Sequence, residues 1–337
     1  MEAGKAIRPF SLSAKIHCKA YSTPLQRVIV DFGSEVSFTE TARLLKDHYG
    51  LNNVSVSSIR SITERHAHII HHTMPQIQKK RSANLASQII MESDGGMVPI
   101  VTMQEDAKDQ RRTRTVGWAE NKLSLAYAKG TINPTYASTM EGVDVAGNQL
   151  ADIADLIGRD DTSDIHFVAD GATWIADQVE AQFGTQANFL IDFFHLSEYL
   201  HKASLCCDPE HSPAWTNMQK QRMKEGKIMT VIHELEQHIN QDKKNSDHQC
   251  AAETCYNYMI KRLKQFNYKD AIANDLPIGS GKIEGGHRSV IQKRLKLSGA
   301  WWRKVNAGSM ASLRVLKANG YYNDYWSRRK MSETRCN

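Results

Sequence analysis

The strongest local constraint on the fold is the run Ile165-His-Phe-Val-Ala-Asp-Gly171. Apolar, strand-favouring residues lead directly into a carboxylate and a glycine, and an amphipathic helix is predicted from Ala172. A strand inside a largely parallel sheet is covered on both faces, so it loses the alternation of polar and apolar residues. A carboxylate at the C-terminal end of such a strand lies where open α/β sheets bind ligands. Asp170 is therefore a candidate site residue, although an aspartate in this position also serves simply as a helix N-cap.

A second run of the same kind is Phe189-Leu-Ile-Asp-Phe-Phe-His195. It predicts another buried strand that ends in a carboxylate, so Asp192 competes with Asp170 as the site residue. His195 follows three residues later and is a candidate donor that supports the site. The alternative interpretation is a polar strand end and a helix cap.

The preceding region predicts three strands in a meander. Leu85–Asp94 and Met97–Met103 are joined by Gly95 and Gly96, and an Asp-Gly pair between apolar runs predicts a hairpin turn. In that interpretation Asp94 is a turn residue. Lys122–Tyr127 alternates as a third strand. Helices are then predicted over Val143–Ile157, Ala172–Phe183 and Leu196–Ala203, separated by the two buried strands. This order predicts an RNase H-like mixed sheet flanked by helices, an α/β fold.

The first 82 residues predict a helical, helix-turn-helix-like unit. Ser37 fits the N-cap of a helix that ends at Tyr49-Gly50, and Ser55 or Ser57 can begin a second helix with Ile59 and Ile62 turned inward. Basic residues on the exposed side of the second helix are candidates for contact with a DNA groove, namely Arg60 and Arg65. His66, His68, His71 and His72 are expected to face solvent.

The C-terminal half changes character twice. Residues 205–271 predict an all-helical insertion, and a later helix carries Glu284, Arg288, Ile291 and Leu295 on one predicted side. Between Arg288 and Lys330 there are eleven Lys or Arg residues and one acid, Asp324. Such a block favours a polyanionic partner, whereas a solvated helical face usually mixes both signs of charge.

Two adjacent tryptophans within this block suggest stacking on a splayed nucleic-acid base, with core packing of at least one of them as the alternative. The candidate DNA-contacting residues of the block are Arg288, Lys293, Arg294, Lys296, Trp301, Trp302, Arg303 and Lys304.

Composition narrows the class of protein. The chain has 337 residues, a formal charge of +6 and six cysteines without the spacing of a disulfide framework. No apolar run reaches the roughly 20 residues of a membrane span, and no signal-peptide region is evident. These features predict an intracellular protein with reduced thiols and no membrane partner.

Three acids from different predicted elements form the strongest chemical pattern: Asp94, Asp170 and Glu284. Phosphodiester chemistry by two divalent cations needs carboxylates that converge on ions about 3.5–4 Å apart. Mg²⁺ suits such a site because it takes oxygen ligands and keeps exchangeable waters, and Mn²⁺ is the expected substitute. We therefore expect these acids to meet at one edge of the sheet.

Four motifs together resemble prokaryotic insertion-sequence transposases of the DDE class, nearest to the ISKra type. They are Asp94-Gly-Gly, Val168-Ala-Asp-Gly, Ile191-Asp-Phe-Phe-His-Leu, and Gly279-Ser-Gly-Lys-Ile-Glu284 followed by Arg294-Leu-Lys and Trp301-Trp302. The resemblance covers roughly Asn84 to Tyr322. It implies an RNase H-like catalytic domain with a helical insertion, and Asp94, Asp170 and Glu284 as catalytic residues that bind two metal ions. It also favours Asp170 over Asp192.

The helical pattern predicts residues 1–82 as the DNA-binding domain, in a region where the chain departs from the family pattern. The resemblance implies 83–204 and 272–337 as the two parts of the catalytic domain, and 205–271 as the insertion. The expected partner is double-stranded DNA at element ends and target, bound by a homo-oligomer in a prokaryotic cytoplasm, close to the nucleoid. Two other functions fit the same sequence. One is an RNase H-like nuclease without strand transfer, and the other is a transposase-derived DNA-binding protein without catalysis.

Overall fold

The centre of the computed structural model, which describes residues 21–77, 85–104, 106–242 and 251–335, is a mixed sheet of five strands. The strands are β1 (Gln88–Thr102), β2 (Thr115–Ala128), β3 (Thr135–Thr139), β4 (Asp164–Ala169) and β5 (Ala187–Ile191). Their order in space is β3-β2-β1-β4-β5. β1, β2 and β3 pair antiparallel, whereas β4 runs parallel to β1 and β5 parallel to β4. The predicted RNase H-like fold class is confirmed.

The predicted hairpin turn at Asp94-Gly95-Gly96 is wrong. β1 runs unbroken through these residues, with Asp94 opposite Leu123 on β2. Neither glycine has the positive φ that a tight hairpin requires. Both instead permit close packing, since a Cβ on Gly95 would collide with the Glu120 carboxylate and one on Gly96 would lie 2.7 Å from the His287 ring. The strands predicted over Leu85–Asp94 and Met97–Met103 are therefore one strand, β1. β2 is longer than the predicted run Lys122–Tyr127, and β3 was not predicted.

Three helices precede the sheet: α1 (Thr23–Gly33), α2 (Phe38–Tyr49) and α3 (Val56–Ile77). The predicted ends are confirmed, because the Ser37 hydroxyl accepts the Glu40 N–H at 3.1 Å and the C-cap Gly50 has a φ of 66°. Ser55 accepts the Ser58 N–H at 3.1 Å as the next helix begins.

The inward side of α3 agrees with the prediction at Ile59 and Ile62, which are buried. His66 does not face solvent as expected: it is buried, 2.6 Å from the Tyr325 hydroxyl and 3.0 Å from the Gln26 side-chain oxygen.

The remaining helices alternate with the later strands and then form the insertion and the C-terminal region. They are α4 (Val143–Leu156), α5 (Thr173–Phe183), α6 (Phe193–Cys207), α7 (Ser212–Lys224), α8 (Ile228–Asp242), α9 (Ala251–Ile260), α10 (Tyr268–Ala273), α11 (Gly281–Gly286, continued by a π-helical segment His287–Gln292 and a last turn Lys293–Leu295), α12 (Lys304–Ala318) and α13 (Tyr322–Arg335). Short 3-10 turns occur at Gln110–Thr113, Gly184–Gln186 and Leu263–Gln265.

Helices cover both faces of the sheet. α4 and α5 pack on one face around Met91 and Phe167. On the other face, α1–α3 and α11–α13 form one apolar core with Leu123 and Leu125 of β2. α6 and the insertion helices pack beside them on Val168 of β4. The N-terminal and C-terminal helices thus share a core, although they are far apart in the chain.

Within the described ranges, no helix combines the length and apolarity needed to cross a membrane. The predicted boundary at residues 82 and 83 and the basic residues Lys79–Arg81 lie outside the described residues.

Candidate active site at the edge of the sheet

The register of the sheet brings three aspartates level with one another, Asp94 within β1, Asp170 directly after β4 and Asp192 directly after β5. β1 and β4 pair in parallel up to Glu92 and Val168, so Asp94 and Asp170 each lie two residues beyond this last pair. β4 and β5 pair up to Ala169 and Ile191, so Asp170 and Asp192 each lie one residue further. These aspartates are distant in sequence and become neighbours because adjacent parallel strands hold them in register. Their position, beyond the carboxyl ends of β4 and β5, is where open α/β sheets bind ligands.

Asp94 lies in a partly enclosed position on β1. Its Oδ1 accepts the Gly95 N–H at 2.7 Å, and the buried His287 ring places Nε2 3.6 Å from Oδ2. Burial raises the pKa of Asp94, and the nearby negative charges of Asp170 and Glu120 raise it further, against the opposing effects of His287 and the Gly95 N–H. The charge of Asp170 thus acts on Asp94 across the strand pair.

Asp170 is held mainly through its backbone. Its Oδ1 accepts the Ala172 N–H at 2.9 Å, which shapes the turn before α5. The insertion fixes the same turn, because the Tyr258 hydroxyl donates to the Asp170 carbonyl and Arg262 donates to the Gly171 carbonyl, both at 2.9 Å. The helical insertion thus orients the loop that carries the candidate ligand, while the second carboxylate oxygen of Asp170 accepts no hydrogen bond among the described residues.

Asp192 has a different environment. It is 7% exposed and is the N-cap of α6. Its Oδ1 accepts the N–H groups of Phe194 and His195 at 2.6 and 3.1 Å, and its Oδ2 accepts the Ser280 N–H at 2.7 Å and the Ser280 hydroxyl. Both oxygens are therefore used to hold α6 and the loop before α11, which agrees with the helix-cap alternative.

His195 does not contact Asp170 directly. Its ring packs on Tyr199 and Tyr258, with centroids 5.4 and 6.0 Å apart. Because Tyr258 donates to the Asp170 carbonyl, His195 supports the tyrosine that orients this turn.

Glu284 lies on α11, which is attached to β1 at two points. The Ile283 N–H donates to the buried Glu92 carboxylate at 2.8 Å, and His287 Nε2 donates to the Asp94 carbonyl at 3.2 Å. The Glu284 side chain itself is 66% exposed and forms an ion pair with Arg288. The helix that carries Glu284 is thus docked beside Asp94, with the carboxylate directed to an arginine one turn later.

The predicted common side of α11 is wrong, because Glu284 and Arg288 are exposed while Ile291 and Leu295 are buried. The π-helical segment from His287 to Gln292 changes the angular spacing that a regular helix would give.

Two residues that attach α11 to β1 beside the candidate site were not predicted from the sequence, namely Glu92 and His287. Burial raises the pKa of Glu92 to about 7. Burial also lowers the pKa of His287, whose Nδ1 has no hydrogen-bond partner within the structure described. A glutamate inside an otherwise apolar strand, two residues before Asp94, and a histidine one helical turn after Glu284 were the available signals.

Among the described residues, no three His, Cys, Asp or Glu side chains gather closely enough to hold a metal ion. Asp94 and Asp170 nevertheless suit a divalent cation. They are neighbouring oxygen donors, and their mutual repulsion is the kind of energy that a bound cation removes. Glu284 would complete the set only by exchanging Arg288 for the ion.

The basic C-terminal block is partly internal, and two predicted DNA contacts in it are corrected. Arg294 is 2% exposed and Trp302 is 5% exposed. The Arg294 guanidinium lies between the rings of Phe38 and Trp302, 4.6 and 4.8 Å from their centroids, and its Nε donates to the Gly33 carbonyl. Burial lowers the pKa of Arg294 to about 10. Both side chains belong to the core, as the packing alternative for the tryptophan pair predicts.

Other cations of the block bind the end of α1. Arg314, Lys317 and Lys293 lie 2.6, 2.9 and 3.2 Å from carboxylate oxygens of Glu35. Burial opposes the charge of Glu35, but these cationic partners outweigh it and lower its pKa to about 2. A local charge count cannot distinguish such pairing from a surface that faces a polyanion.

The remaining candidate DNA contacts are solvent-accessible. Arg60 pairs with Glu64 at 3.1 Å, and Arg65 donates to Gln26 at 2.6 Å. Trp301 is 38% exposed, in contrast to its neighbour. The other exposed basic residues among these candidates are Arg288, Lys293, Lys296, Arg303 and Lys304.

The fold and the acidic strand ends define the class: an RNase H-like α/β protein with carboxylates at one edge of its sheet. A family model described as "Uncharacterised protein family (UPF0236)" matches residues 18–333, and the chain belongs to that family. No curated protein matches the chain. Among solved structures, the chain is similar to the Drosophila P element transposase strand transfer complex, at 12% identity and a TM-score of 0.32, over 94% of this chain and 83% of that one.

Proposed function

We propose that the protein is a DNA transposase of the DDE class, with Asp94, Asp170 and Glu284 as its catalytic residues. The observation that carries the proposal is the level position of Asp94 and Asp170 on adjacent parallel strands, where the charge of Asp170 contributes to raising the pKa of Asp94. The ISKra-type resemblance of the motifs around these residues supports the same assignment. The homo-oligomer and the prokaryotic setting inferred from that resemblance belong to the proposal.

Asp94 and Asp170 would hold Mg²⁺, and Glu284 would join them. Bound Mg²⁺ supplies charge neutralisation at the phosphate and a more acidic water or 3′-hydroxyl. Mn²⁺ should substitute because it accepts the same oxygen ligands.

The chain's own groups prepare this edge of the sheet. Glu92 anchors the first turn of α11 through the Ile283 N–H, and His287 anchors the next turn on the Asp94 carbonyl. These two bonds fix the backbone on both sides of Glu284. Tyr258 and Arg262 fix the turn after β4 in the same way. The ligand-bearing segments are thus held by separate backbone contacts, which favours a preorganised site.

The exposed cations would bind the phosphates of duplex DNA. Arg288, Lys296, Arg303 and Lys304 are exposed on α11, α12 and the loop between them. Arg60 is exposed on the first turns of α3. Each cation that neutralises a phosphate releases a counterion, so the affinity should fall steeply with salt.

In the proposed reaction, water attacks a phosphorus atom at the element end and the 3′-oxygen leaves as a hydroxyl. That 3′-hydroxyl then attacks a phosphorus atom of target DNA and displaces a second 3′-oxygen. Neither step forms a covalent bond between protein and DNA.

The test is Mg²⁺-dependent cleavage of DNA that carries the inverted repeats flanking the gene. The wild type should cleave this DNA, Asp170→Asn should not, and the control Asp164→Asn, at the exposed start of β4, should cleave normally. Equal cleavage by wild type and Asp170→Asn would remove the assignment.

The Glu284–Arg288 ion pair favours one rival, a DNA-binding protein without catalysis, because it occupies the third candidate ligand. Tight binding without cleavage in Mg²⁺ or Mn²⁺ would establish that rival. Cleaved ends that never join target DNA would instead indicate a nuclease.

A further inference from the structure

A cavity of about 400 Å³ opens between the N-terminal helices and the loop that joins α11 to α12. Its wall includes the first turn of α2 from Ser37 to Thr39, Val56 and Arg60 of α3, and Leu297–Arg303 of the loop. Cavities of a few hundred cubic ångströms are the usual size for small organic ligands. Two helix N-termini at one cavity also favour a negatively charged group.

The charges of the wall agree with that preference. Two exposed arginines, Arg60 and Arg303, line the cavity, against the single carboxylate of Glu64. Arg294 also belongs to the wall, but its guanidinium is enclosed between the rings of Phe38 and Trp302.

The two tryptophans in the cavity wall, Trp301 and Trp302, differ in burial. Trp302 is locked in the core, where its indole N–H donates to the Leu295 carbonyl at 3.1 Å. Its backbone also pairs with β1, since its carbonyl accepts the Val101 N–H at 2.7 Å. Trp301 is therefore held by a fixed neighbour while its own ring is 38% exposed and packs on no other aromatic ring of the described residues. A positioned, unstacked indole is suited to stacking on a planar base.

We propose that this cavity binds one unpaired nucleotide of a DNA strand, with its base on Trp301 and its phosphate beside the guanidinium groups of Arg60 and Arg303. The inference rests on the proposed function, because it assigns this pocket to the same DNA. A nucleotide within a strand fits better than a free one. The cavity is open to the surface that carries Arg303 and the adjoining exposed Lys304, where neighbouring phosphates would continue.

The test compares two duplexes that are identical except for one extrahelical 2-aminopurine. The wild type should bind the bulged duplex about tenfold more tightly than the paired one and quench its fluorescence, because stacking on an aromatic side chain has about this effect. Trp301→Ala should bind both duplexes equally, and Trp301→Phe should keep most of the preference. Trp118→Ala, at an exposed tryptophan of β2 outside the cavity wall, is the matched control and should behave as wild type.

Equal affinity of the wild type for the two duplexes would overturn the inference, as would a preference that survives in Trp301→Ala. Equal quenching of free 2-aminopurine nucleotide would show a mononucleotide site and would also overturn it. DNA cleavage without any preference for the bulged duplex would overturn only this inference and would leave the proposed catalysis standing. A preference that depends on Trp301, observed without DNA cleavage, would overturn only the proposed catalysis.

Discussion

Asp170 and Asp192 occupy equivalent positions at the ends of adjacent parallel strands, yet their environments differ. Asp192 accepts four hydrogen bonds from Phe194, His195 and Ser280. The Asp170 side chain accepts one, from the Ala172 N–H, and its charge acts on Asp94 across the sheet. The Asp192 carboxylate therefore stabilises the fold, whereas the Asp170 carboxylate retains capacity for another ligand.

A structural acid and a candidate metal ligand differ here in how many donors already bind each carboxylate. Both follow a buried strand and both precede a helix, so position alone does not separate them. The decisive quantity is the number of donors already assigned to each oxygen. Asp192 gained its extra donors from Ser280, which is 88 residues away in the chain.

The largest expected effect tests whether Asp170 acts together with its neighbour on β1. Asp94→Asn should lower the DNA cleavage rate about 10³-fold, because loss of a ligand charge removes several kcal/mol of transition-state stabilisation. The assay is single-turnover cleavage in Mg²⁺. Asp161→Asn, at an exposed position before β4, should retain the full rate. Undiminished cleavage by Asp94→Asn would contradict the proposal that Asp94 and Asp170 act together.

The next effect concerns Asp192 and is measured as stability. Asp192→Ala should lower the free energy of unfolding by about 3 kcal/mol, because it removes a helix cap and leaves the Ser280 donors unpaired. Asp170→Ala should cost less than about 1 kcal/mol, since only one hydrogen bond is lost. Urea denaturation of the two variants measures the difference. Equal losses would contradict the distinction between them.

Glu35 lies away from the candidate site and is, like Asp192, a carboxylate whose oxygens are already bound by other groups. Glu35→Gln should lower the free energy of unfolding by about 2 kcal/mol at pH 7, because it leaves the buried Arg314 without its ion pair. The pKa of Glu35 is lowered from 4.5 to about 2, so its contribution is present above pH 4.5 and is lost as the pH falls towards 2. Denaturation of wild type and variant across this range should show the difference shrinking. A difference that stays constant with pH would contradict the ion-pair explanation.

The smallest effect concerns Glu92, which is buried but accepts the Ile283 N–H. Burial raises its pKa from 4.5 to about 7, so the folded state binds its proton more tightly than the unfolded state. Its ionisation therefore removes stability as the pH rises from 4.5 through 7. Glu92→Gln keeps an acceptor for Ile283 and should be about 1–2 kcal/mol more stable than wild type at pH 8, with no difference at pH 4. Thermal unfolding at both pH values measures this, and a variant that is less stable at pH 8 would contradict it.

Much of the fold was predictable because its signals are local. Ser37, Gly50 and Ser55 mark helix ends through local hydrogen bonds, and the run Ile165–Ala169 before Asp170 is buried throughout. β3 was missed because its five residues, Thr135-Tyr-Ala-Ser-Thr139, form no apolar run. The order of elements was enough to specify the class of sheet.

The candidate site was predictable only in part. The glycines after Asp94 were assigned to a turn because glycine favours turns, whereas the structure uses them to admit Glu120 and His287. Arg294 was counted with the exposed cations because sequence does not show the two rings that enclose it. Contacts between distant segments decide each of these cases, and a single sequence contains no local record of them.

The most direct test of the central claim is diffraction from crystals soaked in Mn²⁺, recorded with anomalous scattering. The account predicts a Mn²⁺ peak within about 2.2 Å of carboxylate oxygens of both Asp94 and Asp170, with Glu284 released from Arg288 towards it. The absence of a peak at these two aspartates in a fully soaked crystal, or a peak held by Asp192 instead, would contradict the account.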